Sequence, residues 1–285
     1  MKIASIDIGT NSIKSKIFDT TPTSITFLEG IRTPVRLGTK VFNTGGLSEK
    51  KVIELIKVLK KYQHYFLKNN IEMYEIIATS AFRDSVNSEE ARRTVENAIE
   101  HPINIISGLQ EAQLIRLHPK AQDEKNKVFV DIGGGSTEIY IYKNGKTSIQ
   151  SFQLGGVRNL LKMDSQSEWK RMENWLKKQE NCDTLVGLGG NIKSFMQISK
   201  KKKISKKEFR KQKIVLKKQT TSEKIKFYNL GSDRADVIDY ALDIFEKIID
   251  CLDVALIKST KWGVSDSTSV KLFHELYSKK ISIER

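Results

Sequence analysis

The sequence predicts an α/β protein of two similar lobes, and three observations carry that prediction. Two short passages nearly repeat each other: Ile6-Asp7-Ile8-Gly9-Thr10-Asn11-Ser12 and Val130-Asp131-Ile132-Gly133-Gly134-Gly135-Ser136. Each begins in an apolar strand (Lys2 to Asp7, Lys127 to Asp131), turns through glycine and small polar residues, and continues into an alternating strand, so each reads as a hairpin tip. Amphipathic helices and apolar strands alternate along the rest of the chain. The 285 residues exceed the usual single-domain size, and a hydrophobic content of 39% fills two cores, each of about 120 to 160 residues.

The second strand of the first hairpin alternates through Ile13, Ser15, Ile17 and Asp19, and Val35-Arg36-Leu37-Gly38 reads as a third strand and loop. Ser48 caps a helix with Val52, Leu55, Ile56, Leu59 and Tyr62 on one face and Leu47 placed to staple its start. A buried strand from Tyr74 to Ala78 ends in Thr79, Ser80 and Arg83. Ser88 opens a helix that Pro102 stops before a strand from Ile103 to Ile106. Ser107 begins the next helix, with Gln110 at the position of a capping box and Glu111 beside it. The polar segment from Pro119 to Asn126 sets the expected boundary, with lobes at 1–120 and 121–285.

The second lobe continues with strands at Thr137 to Tyr142 and Ile149 to Leu154, then Gly155-Gly156 and a helix holding Trp169, Met172 and Leu176. An apolar strand, Thr184 to Leu188, runs into a third glycine tip, Gly189-Gly190-Asn191. Asp233 is expected to cap one long helix through Val237, Ala241, Ile244, Ile248 and Leu252. A strand from Val254 to Lys258, Trp262-Gly263 and a last helix around Val270 to Leu276 complete the chain.

Composition excludes several classes. Cys182 and Cys251 are too few for a disulfide framework or thiolate site, which fits a reducing cytoplasm, and the four histidines show no ligand spacing for zinc. No signal peptide and no run of 18 apolar residues is present, so no membrane span is expected. The formal charge of +15 favours polyanionic partners. Between Lys200 and Lys218 stand ten lysines and one arginine against Glu208 alone, a candidate polyanion dock or a solvated helix and loop.

The repeated tips point to phosphate chemistry. Glycine lets backbone N–H groups approach an oxyanion, and Thr10, Asn11, Ser12, Ser136 and Thr137 add neutral donors. A single such tip is more simply an ordinary hairpin turn; two matched copies, each with an aspartate, favour phosphate. Asp7, Asp131 and Glu138 offer hard oxygens for one Mg²⁺. Glu111, in the first turn of its helix, is the candidate base to orient a water, with a purely structural helix-end acid as the alternative. Arg83 has the planar fork suited to phosphate, or to an ion pair with Asp84 or Glu90.

IDIGTNSIK from Ile6, VRLG from Val35, ATSAFRDSVN from Ala78, ISGLQEAQLI from Ile106, DIGGGSTE from Asp131, LGGVR from Leu154, GLGGN from Gly187 and RADVID from Arg234 stand in order along nearly the whole chain. With these motifs the chain resembles the exopolyphosphatase and guanosine pentaphosphate phosphohydrolase family of the actin-like phosphotransferase superfamily. The resemblance implies two ribonuclease-H-like (actin-like ATPase) lobes with a phosphate-binding cleft between them, and hydrolysis of a terminal phosphoanhydride. It implies Glu111 as the catalytic glutamate, Arg83 as a phosphate ligand and Asp131 and Glu138 as holders of metal or water. Gly9, Thr10, Asn11, Ser12, Gly133, Gly134, Gly135, Ser136, Thr137, Gly189, Gly190 and Asn191 complete the phosphate-binding set. The chain departs from the family pattern at Gln110, where an acid is usual, at Asn191 for threonine, and at Asp239-Tyr240 for Pro-Gly. It departs again at Gly263-Val264-Ser265-Asp266-Ser267, which lacks the usual arginine and glycine. Its length fits a short, two-lobed member without helical carboxy-terminal domains.

The leading expectation is a Mg²⁺-dependent hydrolase releasing orthophosphate from inorganic polyphosphate, guanosine pentaphosphate, or both, in the cytoplasm and without a membrane partner. The alternative is a catalytically weak or inactive binder of polyphosphate or alarmone, and a third class is an ATP-dependent kinase of the same superfamily. Nucleic acid is the weakest partner, since no recognition module accompanies the lysines. Oligomeric state stays open, a homodimer being common in families of this kind.

Overall fold

The computed structural model describes residues 1–123 and 126–281. Two units form: residues 1–107 with the C-terminal helix, and residues 108–263.

Every residue from Ile3 to Ile8 is buried, as a strand covered on both faces requires. This strand, β1 (Lys2–Ile8), pairs antiparallel with β2 (Ser12–Thr21), which pairs antiparallel with β3 (Ser24–Pro34). Helices α1 (Leu37–Thr44) and α2 (Glu49–Lys68) lead to β4 (Ile71–Ala78), parallel to β1. Then α3 (Ser80–Arg83) and α4 (Ser88–Ile99) lead to β5 (Asn104–Ile105), parallel to β4. The spatial order is β3-β2-β1-β4-β5. Val35-Gly38, expected as strand and loop, instead opens a helix. Pro34 ends β3, Arg36 turns the chain at φ 52°, and α1 begins at Leu37. Helix α2 seats Val52, Leu55, Leu59, Tyr62 and Phe66 in the core. Ser48 precedes it without a side-chain cap.

The C-terminal helix, Val264–Ile281, packs on β1, β2 and β4. Ser5 Oγ donates to the Ser265 carbonyl at 2.7 Å, Lys16 pairs with Asp266, and Lys271 pairs with Glu75 at 3.1 Å. Phe18, Ile3 and Leu272 form the apolar part of this contact.

The second unit begins with α5 (Gly108–Leu114) and a 3₁₀ turn. Strands β6 (Lys127–Ile132), β7 (Thr137–Lys143) and β8 (Lys146–Phe152) form an antiparallel meander. After α6 (Gly156–Leu160) and α7 (Gln166–Leu176), β9 (Thr184–Leu188) pairs parallel to β6. Next come α8 (Gly189–Ser199), β10 (Lys203–Ser205), α9 (Lys206–Lys217) and α10 (Thr221–Tyr228). Helices α11 (Ser232–Ala235) and α12 (Ile238–Cys251) precede β11 (Leu256–Ser259), which pairs parallel to β9 and antiparallel to β10. The order β10-β11-β9-β6-β7-β8 contains, apart from β10, the strand order and directions of the first sheet. The sequence repeat is thus a structural repeat. The central β6 is buried throughout, and Val128, Val130 and Ile132 share one core with Ile238, Leu242, Phe245 and Ile249 of α12.

The units differ from the expected 1–120 and 121–285 at both ends. Residues 108–120 fall in the second unit because α5 packs on β7 and β8, and the C-terminal helix completes the first. Residues 124 and 125 of the anticipated boundary segment lie outside the described residues. The single long helix expected from Asp233 is two helices, because the Val237 N–H closes back on the Arg234 carbonyl at 3.2 Å. Among the described residues no helix is long and apolar enough to cross a membrane.

Four cations of the lysine run, Lys206, Arg210, Lys213 and Lys217, pair with acids of helix α12. Lys213 pairs with Asp243 at 2.6 Å and with Glu246, Lys217 with Asp243 at 2.8 Å, and Arg210 with Asp250 at 2.7 Å. Lys206 also reaches Asp250, at 3.1 Å, and Lys201 takes Glu208.

His118 shows how the second unit closes around the end of its first helical segment. Its Nδ1 accepts the Lys120 N–H at 3.0 Å, so Nε2 carries the proton and faces Thr260 Oγ1 at 3.3 Å, while the ring packs on Phe129 and Trp262. Burial first, then the charges of Lys120, Lys258 and Lys127, pull its pKa from an ordinary 6.5 down to about 4. The folded value lies below the unfolded one, so the neutral ring's contribution is whole above about pH 6.5 and is lost as pH falls toward 4. It amounts to about 3 kcal/mol in full. As pH falls from about 6.5 to 4, wild type should therefore lose urea midpoint relative to His118→Gln, while the difference between them stays constant above pH 6.5; parallel curves throughout would show that this ring titrates normally.

Candidate functional site

The loop that joins β6 to β7 owes its shape to the segment that opens α6. The Gly133 carbonyl accepts the Gly156 N–H at 3.0 Å, the Gly134 carbonyl accepts those of Val157 (2.7 Å) and Arg158 (2.9 Å), and the Gly135 carbonyl accepts Arg158 Nε (2.8 Å). In a planar trans peptide the carbonyl and the following N–H point in opposite directions. With three successive carbonyls turned toward α6, the N–H groups of Gly134, Gly135 and Ser136 face the other way. They form a row of donors suited to phosphate oxygens. Gly155 makes the approach possible, since a Cβ there would lie 2.6 Å from Gly134 and Gly135 backbone atoms.

The first unit repeats the device. The Gly9 N–H bonds the Ser12 carbonyl at 3.2 Å, as Gly133 bonds Ser136 at 3.0 Å. The Thr10 carbonyl accepts the Gly38 N–H at 2.9 Å, and the Asn11 carbonyl accepts those of Val35 and Arg36 at 3.1 and 3.0 Å. The opening of α1 thus stands to loop 9–12 as that of α6 stands to loop 133–136. Thr10, Asn11 and Ser12 are all buried.

The polar side chains of these loops divide into those that line and those that brace. Thr137 gives its hydroxyl hydrogen to the Leu154 carbonyl at 2.7 Å and is fully buried, so it braces the turn. Asn191 likewise works inward: its Nδ2 donates to the Ile132 carbonyl at 2.8 Å, and its Oδ1 accepts from Arg234 Nη1. The third tip has glycines because of what crowds it. Gly189 sits at φ 76°, and a Cβ there would come within 2.5 Å of Asp131 Oδ1; a Cβ at Gly190 would strike the Arg234 guanidinium.

Asp131 and Glu138 stand directly opposite one another on β6 and β7, either side of the loop, and both are buried. Ser151 Oγ donates to Glu138 Oε1 at 2.9 Å. Among the described residues no three His, Cys, Asp or Glu side chains gather as a metal site, and the pair that one sheet brings together is Asp131 with Glu138. Two facing carboxylates, about 5 Å apart at Cα, fit Mg²⁺, which needs only one or two and keeps several waters. Asp7 lies on β1 of the first unit, ion-paired with Lys14 at 3.4 Å.

Glu111 lies in the first turn of α5 and is buried, on a helix that packs against β7 and β8, the strands of Glu138 and Ser151. Arg83 closes α3 in the first unit. Its Nη1 donates to the Ile106 carbonyl at 2.8 Å and its Nε lies 3.5 Å from Asp84. Two residues that carry this geometry, Arg158 and Arg234, appeared in the sequence only as members of motifs. Nothing in their local pattern reports what they touch.

The sequence pattern of the Ppx/GppA phosphatase family matches residues 16–275. The chain belongs to the Ppx/GppA phosphatase family. It is similar to a solved Ppx/GppA family member of Aquifex aeolicus, with 27% identity, a TM-score of 0.77 and 98% of each chain covered. It shares its fold with a solved exopolyphosphatase of Cytophaga hutchinsonii at 20% identity and a TM-score of 0.84, over 96% of this chain and 98% of that one. A bifunctional 3-dehydroquinate synthase/phosphatase of Fusobacterium nucleatum subsp. nucleatum is 32% identical over 229 residues, 70% of this chain. The chain spans 34% of that relative's length and 44% of that of a Haemophilus influenzae relative. The actin-like architecture read from the motifs is thereby shown.

The departures from the family pattern are tied into local structure. Asp239 pairs with the buried Lys224 of α10, and Asp266 of the altered terminal motif pairs with Lys16. Because the atoms facing Gly155 are backbone, Gly155→Ala should lower stability by about 1–3 kcal/mol and shift the amide resonances of 133–136. A variant with unchanged melting temperature and spectrum would show that α6 does not shape this loop.

Proposed function

We propose that the protein hydrolyses the terminal phosphoanhydride of inorganic polyphosphate or of guanosine pentaphosphate, releasing orthophosphate. The observation that carries this reading is the row of N–H groups at Gly134, Gly135 and Ser136, flanked in sequence by the buried carboxylates Asp131 and Glu138. Family membership supports phosphatase chemistry, and the two substrates share the terminal anhydride.

In this reading the loop N–H groups bind and neutralise phosphoryl oxygens as charge develops, in a site built beforehand. Asp131 and Glu138 would hold a Mg²⁺ ion, which would supply further charge neutralisation when bound. Glu111 orients a water and accepts its proton as the water oxygen bonds to the terminal phosphorus; the bond from that phosphorus to the bridging oxygen breaks, and the shortened chain leaves. Within the first unit, loop 9–12 repeats the same backbone geometry, and Arg83 carries donors of the kind that suit phosphate. Asn191 and Thr137 act here as braces.

The features that favoured a non-catalytic binder have structural occupations. The altered terminal motif anchors the C-terminal helix, and α12 pairs with Lys206, Arg210, Lys213 and Lys217 of the lysine run.

Purified protein with tripolyphosphate or guanosine pentaphosphate should release orthophosphate, and Glu111→Gln should slow it by about 10²–10⁴-fold without loss of folding. Equal rates for the two proteins would refute the role of Glu111. Removing divalent cation with EDTA should abolish release, and Mg²⁺ should restore it; undiminished turnover in EDTA would remove the metal from the reading.

A further inference from the structure

We infer that Arg158 is a positioning residue for the second glycine loop: its guanidinium, without touching substrate, holds the Ser136 N–H toward the phosphate. This inference rests on the proposed phosphate site and adds a residue to it.

Arg158 is unlike the other basic residues near the loops. Only 8% of it is exposed, it belongs to α6, and its Nε is bonded to the Gly135 carbonyl at 2.8 Å while its own backbone N–H bonds the Gly134 carbonyl at 2.9 Å. One residue therefore fixes two consecutive peptide units of the loop. In the unit joining Gly135 to Ser136 a side chain bonds the carbonyl, whereas in the two preceding units main-chain donors of 156–158 perform that task. The orientation of the Ser136 N–H is thus the part of the cradle that side-chain chemistry decides.

Two effects follow from this contact. The guanidinium fixes the rotation of the peptide plane, which two glycines at 134 and 135 would otherwise leave loosely determined. Its charge also polarises the Gly135–Ser136 peptide, making the N–H a stronger donor to an anion, because charge-assisted hydrogen bonds strengthen what lies in line with them. A lysine in place of Arg158 keeps the charge and loses the planar fork, so it restores only part of the effect.

The test is a pyrophosphate titration with Mg²⁺ present, followed by the backbone amide resonances of 9–12 and 133–136, for wild type, Arg158→Met and Arg158→Lys. In wild type the amides of Gly134, Gly135 and Ser136 should shift on binding. In Arg158→Met the Ser136 response should collapse and affinity should fall on the order of tenfold, the scale on which supporting contacts act, while the amides of 9–12 respond as before. Arg158→Lys should lie between the two, and it decides the matter should the methionine variant unfold. A Ser136 response in either variant equal to that of wild type would overturn the inference, as would a wild type whose 134–136 amides ignore pyrophosphate. A wild type that binds pyrophosphate through those amides but releases no orthophosphate from longer chains would instead defeat the hydrolase reading alone.

Discussion

A peptide unit that gives its carbonyl to one neighbour must present its N–H to the opposite side, and each unit of this protein is organised around that geometric constraint. A sheet brings two strand ends together, a short loop joins them, and the opening of a helix after the third strand collects the loop's carbonyls. The donors turned outward cost nothing further to orient at the moment an anion arrives. The glycines matter mainly for what comes close to them: Gly155 admits the loop backbone, and Gly189 and Gly190 admit Asp131 and Arg234.

The same logic explains why the buried polar residues of the second unit fall into two sets. Asp131 and Glu138 face each other across β6 and β7, where the pairing of two strands fixes the distance between side chains. Thr137, Asn191, Arg158 and Arg234 bond backbone or one another and hold the tips in place. A site that must bind charge without moving needs both sets, since hydrogen-bonded supports fix the groups that do the binding.

Much of this was legible in the sequence, for reasons that are local. The paired glycine motifs mark the tips, apolar runs at Ile3 to Ile8 and Val128 to Ile132 mark central strands, and Ser88 to Ile99 reads correctly as a helix because its apolar residues recur at helical spacing. What was not legible depends on meetings between distant segments. Val35 to Gly38 resembled a strand because its helix start is dictated by contact with loop 9–12. Asn191 read as a phosphate donor, and its bonds to Arg234 and to the Ile132 carbonyl join segments too far apart in the chain to be read from its motif. Lys206, Lys213 and Lys217 of α9 looked unneutralised because the acids that pair with them stand on α12, on the far side of α10 and α11 in the chain.

The C-terminal helix has a consequence for how the molecule is made. The first unit is discontinuous: its sheet is synthesised at the start, but the helix that covers Ser5, Lys16 and Phe18 emerges only at residues 264–281, after the whole second unit. The second unit is a single uninterrupted stretch. During synthesis, then, the later-born half can finish folding first, while the earlier one waits with one face of its sheet uncovered. The order of birth therefore does not dictate the order of completion.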